Sequence, residues 1–249
     1  MRVRVWAFVV LLVVVQSVRV PLSAQTAYRL KGTTRTGETP LAATISAEAT
    51  VGFRGEQFAG QKTFSVQANE KGEWNLLGLT AGVWVFMASA PDRLPAVIVL
   101  PIKFAQRQMQ SAQGGQLNWP LPLNLVPADE HPSIKAAAPL VVEGRALEAV
   151  QSLSAALLPD AKPATQCAAG QMALAIDQTG LAQQLFLSVQ KAEPKNSCAP
   201  VGLASVALLL NDWDTASKML WSARDLVPRD QRPALAAAIA ELQQVSRVQ

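Results

Sequence analysis

The sequence predicts an α+β chain of two domains. An N-terminal antiparallel β-sandwich of about seven strands comes first, then a C-terminal array of helical hairpins with about six helices. Three observations carry this. Between residues 27 and 127, apolar residues alternate in short runs broken by Gly, Pro and Asn, the period-two pattern of strands. From 141 to 249 the period lengthens to about 3.6, that of amphipathic helices. Within this second half one pattern is stated twice: Ala182 and Ala216 lie 34 residues apart, as do Pro194 and Pro228, while Phe186 falls on Leu220 and Val189 on Ala223. A fixed period of that length marks stacked two-helix units.

Residues 1–24 read as a signal peptide. Arg2 and Arg4 supply a positive start and Val5–Val15 is an unbroken apolar stretch. Pro21-Leu22-Ser23-Ala24 then places a helix breaker and small residues at a cut after Ala24. The apolar core of 11 residues is shorter than the ~20 that a membrane-spanning helix requires. The expectation is an exported chain, periplasmic, envelope-associated or secreted, with no membrane span after cleavage. No cysteine lies near the cut, which argues against a lipid anchor there. The formal charge of +4 belongs largely to this leader: removing Arg2, Arg4 and Arg19 from the 22 basic residues leaves 19 against 18 acidic, a net of +1. So neutral a chain offers no electrostatic case for nucleic acid, and no run of like charge forms a local patch.

Strands are expected at 28–34, 42–50, 62–68, 73–77, 83–90, 96–103 and 116–126. Alternation is cleanest in Thr63-Phe64-Ser65-Val66-Gln67 and in Gly72-Glu73-Trp74-Asn75-Leu76. In the second, Trp74 and Leu76 should face inward and Glu73 and Asn75 outward. Asn69-Glu70-Lys71-Gly72 ahead of it has the residues of a hairpin turn, with Gly72 free to take a positive φ. The run Gly72-Glu73-Trp74-Asn75-Leu76-Leu77-Gly78-Leu79-Thr80-Ala81-Gly82-Val83-Trp84-Val85-Phe86 resembles the carboxypeptidase regulatory-like family, a small transthyretin-like β-sandwich. That family shows an acidic residue and glycine, an aromatic strand, Gly-Leu, a two-residue turn, glycine and a second aromatic strand. This chain has Asn69 where Asp is common and Trp84 where Tyr is common. The resemblance implies a sandwich module over 28–90 and on toward 126 that accompanies other domains and has no catalytic residues.

Residues 128–140 read as a linker, with Asp129-Glu130-His131-Pro132-Ser133 followed by alanines and Pro139. The helical domain is then 141–249. Glu143–Leu158 is an amphipathic helix with Leu147, Val150, Leu153, Ser154 and Leu157 on one side. Its Ala149 and Ala156 are seven apart, the spacing of Ala182 and Val189 and of Ala216 and Ala223, so it reads as half of a degraded earlier repeat. Helices follow at 164–177, 180–192, 199–210 and 213–226. A last one runs to Ser246, with Asp230 as N-cap and Pro233 in its first turn. Leu208-Leu209-Leu210-Asn211-Asp212-Trp213-Asp214-Thr215-Ala216, then Ala223-Arg224-Asp225-Leu226-Val227-Pro228, is similar to the tetratricopeptide repeat. By that resemblance Gly170, Ala182, Ala204 and Ala216 stand where paired helices approach most closely.

The resemblance also implies that a ligand lies against the inner helices, at Ala164, Cys167, Gln171, Leu174 and Ala175, then Cys198, Val201, Ser205, Leu208 and Leu209. The candidate partner-binding groove is Gln171, Leu174, Ala175, Val201, Ser205, Leu208 and Leu209, and the partner a protein or peptide. Lys and Arg are absent there, so the carboxylate clamp of some family members is not carried over. The groove either takes an apolar segment or is covered by part of this chain, with the last helix (Leu235, Ile239, Leu242) or the first as the cover. Cys167 and Cys198 are the two cysteines. An even count in an exported chain favours a disulfide, stapling the first clear repeat to the second, over two buried reduced thiols.

Catalysis is not expected. His131 is the single histidine and sits in the expected solvated linker, so it makes neither a multi-histidine metal site nor a placed base. No nucleophile elbow, phosphate-cradling loop or His-Glu-x-x-His helix occurs, and no cofactor or metal is called for. Trp74, Trp84 and Trp119 allow a second reading, a carbohydrate- or envelope-polymer-binding sandwich, although strand tryptophans more often pack in a core. Trp213 and Trp221 occupy repeat positions that pack between helices.

Overall fold

The structure, a computed structural model, describes residues 28–51, 63–80, 82–102, 116–118, 122–158, 160–229 and 232–246. The signal peptide and its cut, Trp119 and Asp230 lie outside these residues. The strands are β1 (Tyr28–Thr36), β2 (Thr39–Pro40), β3 (Thr44–Val51), β4 (Thr63–Gln67), β5 (Glu73–Leu79), β6 (Gly82–Ser89), β7 (Ala96–Ile102), β8 (Gln116–Asn118) and β9 (Leu123–Asn124). One sheet runs β4-β3-β6-β7, antiparallel throughout. The other is built on β1, which pairs antiparallel with β2 and β5 and parallel with β8 and β9.

Period-two alternation holds in β5, where Trp74 and Leu76 are buried and Glu73 and Asn75 exposed. Trp74 stacks on Phe86 with ring centroids 6.1 Å apart, and Phe64 tilts against Trp84 at 5.7 Å. The Trp84 indole N–H donates to the Thr80 carbonyl at 2.9 Å, so the ring's one polar group is satisfied inside the core. Both strand tryptophans are therefore core residues.

Two expectations for the sandwich need correction. The single strand expected at 116–126 is broken into β8 and β9, which run parallel to β1; Pro122 ahead of β9 has no amide hydrogen to give a ladder. The turn Asn69–Gly72 has the predicted chemistry: Asn69 Oδ1 accepts from the backbone N–H of Lys71 at 3.0 Å and of Glu73 at 2.9 Å, and Gly72 has φ 70°. It does not close a hairpin, because β4 pairs with β3 and β5 with β1, so this turn hands the chain from one sheet to the other. A Cβ on Gly72 would meet the Thr34 carbonyl at 2.1 Å, which makes glycine necessary for packing as well as for φ.

The helices are α1 (Pro132–Lys135), α2 (Ala137–Val142), α3 (Ala146–Leu153, continued by a 3-10 turn over Ser154–Leu157), α4 (Pro163–Ala175), α5 (Thr179–Ala192), α6 (Cys198–Leu209), α7 (Trp213–Arg224) and α8 (Arg232–Ser246). Six of them, α3 to α8, make up the helical part from Ala146 on. Residues 128–140 are not the solvated linker expected: they hold a 3-10 turn, α1 and most of α2, and bury Ala128, His131, Ile134, Ala137 and Ala138. Pro132 and Pro139 look like breakers in the sequence. Pro132 opens α1 and Pro139 is third in α2, first-turn positions where no intrahelical N–H is lost.

With that stretch folded, three hairpins stack rather than two. The turns α2–α3, α4–α5 and α6–α7 are built alike. Leu140, Ala173 and Ala207 each accept a 2.8 Å hydrogen bond from the backbone N–H of Arg145, Gln178 and Asp212, across Gly144, Asp177 and Asn211 at φ 72°, 57° and 59°. This is a left-handed helix stop, which glycine, asparagine and aspartate accept most readily. Ala149, Ala182 and Ala216 are then fully buried at one position, Leu153, Phe186 and Leu220 are buried at the next turn, and Ala156, Val189 and Ala223 after that.

The Phe186 ring fills a slot between two glycines. A Cβ on Gly170 of α4 would come within 2.8 Å of the ring, and one on Gly202 of α6 within 2.4 Å. Gly202→Ala should lower unfolding free energy by roughly 1–3 kcal/mol, seen as a shifted urea midpoint. Adding Phe186→Leu should recover part of that loss. An unchanged midpoint for Gly202→Ala would mean that the slot is not filled.

Candidate functional site

The inner helices of the stack are α4 and α6, and they face the sandwich. In β6, Trp84, Phe86 and Ala88 point between the sheets, while Val83, Val85 and Met87 point the other way into the helical core. β7 divides likewise, with Ala96, Ile98, Leu100 and Ile102 in the sandwich and Val97 and Val99 against the helices. Strands buried on both faces carry unbroken apolar runs. Ala96-Val97-Ile98-Val99-Leu100 is such a run, buried at every residue.

The candidate groove thus faces the sheet rather than solvent. Leu174, Ser205 and Leu208 are buried, and Gln171, Ala175, Val201 and Leu209 are half-buried. Ala175, Val201 and Leu209 pack on the core shared with Val97 and Val99. Ser205 turns its hydroxyl back to the Val201 carbonyl at 3.1 Å. Between α6 and β7 there remains a narrow apolar crevice lined by Val201, Ser205 and Leu208 against Ile98, Val99 and Pro101, with room for about one water. The last helix was one expected cover; its Leu242 and the Leu220 side chain of α7 also line this crevice, but β7 forms the facing wall. That wall was missed in the sequence, although the five-residue apolar run of β7 was its signal.

Two bonds hold the start of α4 in place. Cys167 and Cys198 are joined in a disulfide with Cα atoms 6.3 Å apart, tying α4 to the first residue of α6. The Asn196 Oδ1 accepts from the Cys198 backbone N–H at 3.0 Å, which gives the first amide of α6 a partner. Thr165, the third residue of α4, shares a 2.8 Å hydrogen bond with His131 Nδ1. His131 is 5% exposed, so its place is a packed contact between residues 128–135 and α4. Burial holds its imidazole below the usual histidine value; nearby Glu130 opposes this and Lys162 adds to it.

The outer helices are different. Leu187 on α5 and Trp221 on α7, 34 residues apart and so at one repeat position, are 47% and 44% exposed. The Arg224 guanidinium lies over the Trp221 ring at 4.0 Å, while Arg224 Nε donates to Asp225 at 3.3 Å. Trp213 is buried as its repeat position predicts, but Trp221 does not pack between helices. Among the described residues no helix is long and apolar enough to cross a membrane.

No protein-family model matches the chain. No curated protein matches it. Among solved structures it is similar to PcrH from Pseudomonas aeruginosa, with 18% identity and a TM-score of 0.38 over 48% of this chain and 91% of that one. PcrH in complex with the chaperone binding region of PopD gives 20% identity and a TM-score of 0.39 over 48% and 92%. The Sgt2 TPR domain from Aspergillus fumigatus gives 14% and 0.39 over 48% and 82%.

The two bonds at α4 make separate predictions. Cys167→Ala with Cys198→Ala opens a loop of 31 residues and should cost about 3–4 kcal/mol of stability, measured by urea unfolding; an unchanged midpoint would deny the staple its role. For His131, the unfolded chain takes up a proton near pH 6.5 that the folded chain resists. Its contribution is therefore complete above about pH 6.5 and is lost as pH falls from there toward the lower native value. Asp129, Glu148 and Asp212 are held below their ordinary values by hydrogen bonds from Lys135, Arg145 and Thr215, so they titrate below this window. The urea midpoint should drop between pH near 7.5 and pH near 5.5 in the native chain and drop less in His131→Gln.

Proposed function

We propose that the chain is a non-catalytic, exported scaffold at the cell envelope that holds a folded protein partner on its outer helices. The observation that carries this is the division of the two helix faces: β7 occupies the inner one, while Leu187 and Trp221 stand exposed at one repeat position of the outer one. Aromatic and arginine side chains anchor protein interfaces because they bury much area with few rotors, and Trp221 with Arg224 is such a pair. A folded surface suits a convex helix pair better than an extended peptide, which needs the groove that β7 fills.

Every carboxylate whose side chain is described is exposed. Paired-acid hydrolysis needs two acids across a cleft, so this supports a binding role. The signal-like leader and the bonded cysteines support export, since disulfides persist in oxidising compartments. The glycine–aromatic pattern from Gly72 to Phe86 supports a carboxypeptidase regulatory-like sandwich, which here serves as the seat of the helices.

The test is site-specific photo-crosslinking in the full chain, in its source cells. A crosslinker at Leu187 or Trp221 should give one defined adduct, and Trp221→Lys should abolish the adduct from Leu187. Crosslinkers at Leu174 and Leu208 should give none. Adducts from the groove positions alone would refute the outer-face reading.

A further inference from the structure

Half of the exposed large apolar side chains among the described residues, Val142, Leu147, Leu157 and Leu158, fall between residues 142 and 158. Leu147 is 91% exposed. Helical spacing puts Leu147, Val150, Ser154 and Leu157 along one stripe of α3 and its 3-10 continuation, and Leu158 follows in extended conformation. The polar member needs no outside partner, because Ser154 Oγ donates to the Val150 carbonyl at 2.8 Å. Outermost hairpins in a stack of repeats need a polar face to stay soluble. At the far end of this stack α8 provides cover, burying Leu235, Ile239 and Leu242. The first hairpin instead presents leucines.

We propose that this stripe is the interface of a two-fold dimer, in which α3 of one copy lies antiparallel to α3 of a second copy of this chain. A two-fold contact uses the same patch on both subunits, so the patch must complement itself. With the axis near Ser152, Leu147 of each copy meets Leu157 of the other, and Val150 meets Ser154. The charges flanking the stripe select this orientation. Glu143 and Arg145 precede it, where Arg145 already pairs with Glu143 and Glu148 but stays exposed; Asp160 and Lys162 follow it and are exposed too. Antiparallel packing brings Arg145 toward Asp160 and Glu143 toward Lys162 of the other copy, opposite signs in both pairs. Parallel packing would set each charge against its own kind. This surface is distinct from the one on α5 and α7, and the dimer stands or falls independently of the partner proposed for it.

Sedimentation of the full chain with its disulfide intact should show a dimer that dissociates on dilution. Leu147→Glu with Leu157→Glu should give a monomer of unchanged helix content. Register is tested with single cysteines. Positions 147 and 157 are about 15 Å apart along one helix, so a chain carrying only Leu147→Cys or only Leu157→Cys should link poorly to itself. Mixed in mildly oxidising buffer, the two variants should link to each other at least tenfold faster. A monomer at every concentration overturns the proposal, whether another part of the chain or a different protein covers the stripe. So does a dimer that survives both glutamates, or linkage as fast within the Leu147→Cys variant alone.

Discussion

Burial of β6 and β7 on both faces is the constraint from which the arrangement follows. A sandwich needs apolar side chains on one face of each strand; these two strands carry them on both, so Val83, Val97 and Val99 need a second cover. The inner helices α4 and α6 supply it with alanine, glycine, serine and leucine, residues short enough to let a helix lie close to a sheet. The outer face of β6 and β7 and the hairpins therefore form one apolar core, distinct from the one between the two sheets. Once the concave side of the stack is committed inward, contact with other molecules falls to its convex side and its free end.

The polar features serve the same arrangement. The disulfide and the His131–Thr165 hydrogen bond both act on the first half of α4, the helix that sits on β7. One ties it forward to α6 and the other back to the segment before α1. By contrast the ion pairs of Arg145 with Glu143 and Glu148, and of Lys135 with Asp129, are exposed, and pairs of that kind contribute little to stability.

How much of this was legible in the sequence depended on the range of the interactions. Helix α5 and the start of α7 were readable to within a residue, because small-residue spacing and the 34-residue period are local signals. The glycine at 72 and the inward Trp74 were readable for the same reason. The second half of the first hairpin was read from Ala149 and Ala156, but its first helix, α2, was hidden by its proline, Pro139, and by a period one residue shorter, since Ala149 precedes Ala182 by 33. The left-handed stop at Gly144, Asp177 and Asn211 would have revealed it. The parallel pairing of β8 and β9 with β1 joins residues some 87 apart, such as Arg29 and Gln116, and leaves no periodic trace. The filling of the groove by β7 was half visible: its unbroken apolar run announced a second cover without naming the helices that provide it.

The slot around Phe186 bears on how such a stack can change over time. Where α5 has phenylalanine, it is met by Gly170 and Gly202; the hairpins on either side have Leu153 and Leu220, and at the matching inner positions stand Ala137, Ala168 and Ala204. Bulk added on one helix is thus removed from the two it touches. A unit lifted out and reinserted elsewhere would bring its ring against methyl groups or leave a void behind its leucine. The three hairpins share a plan yet are not interchangeable, and their order along the chain is recorded in the sizes of side chains that never reach the surface.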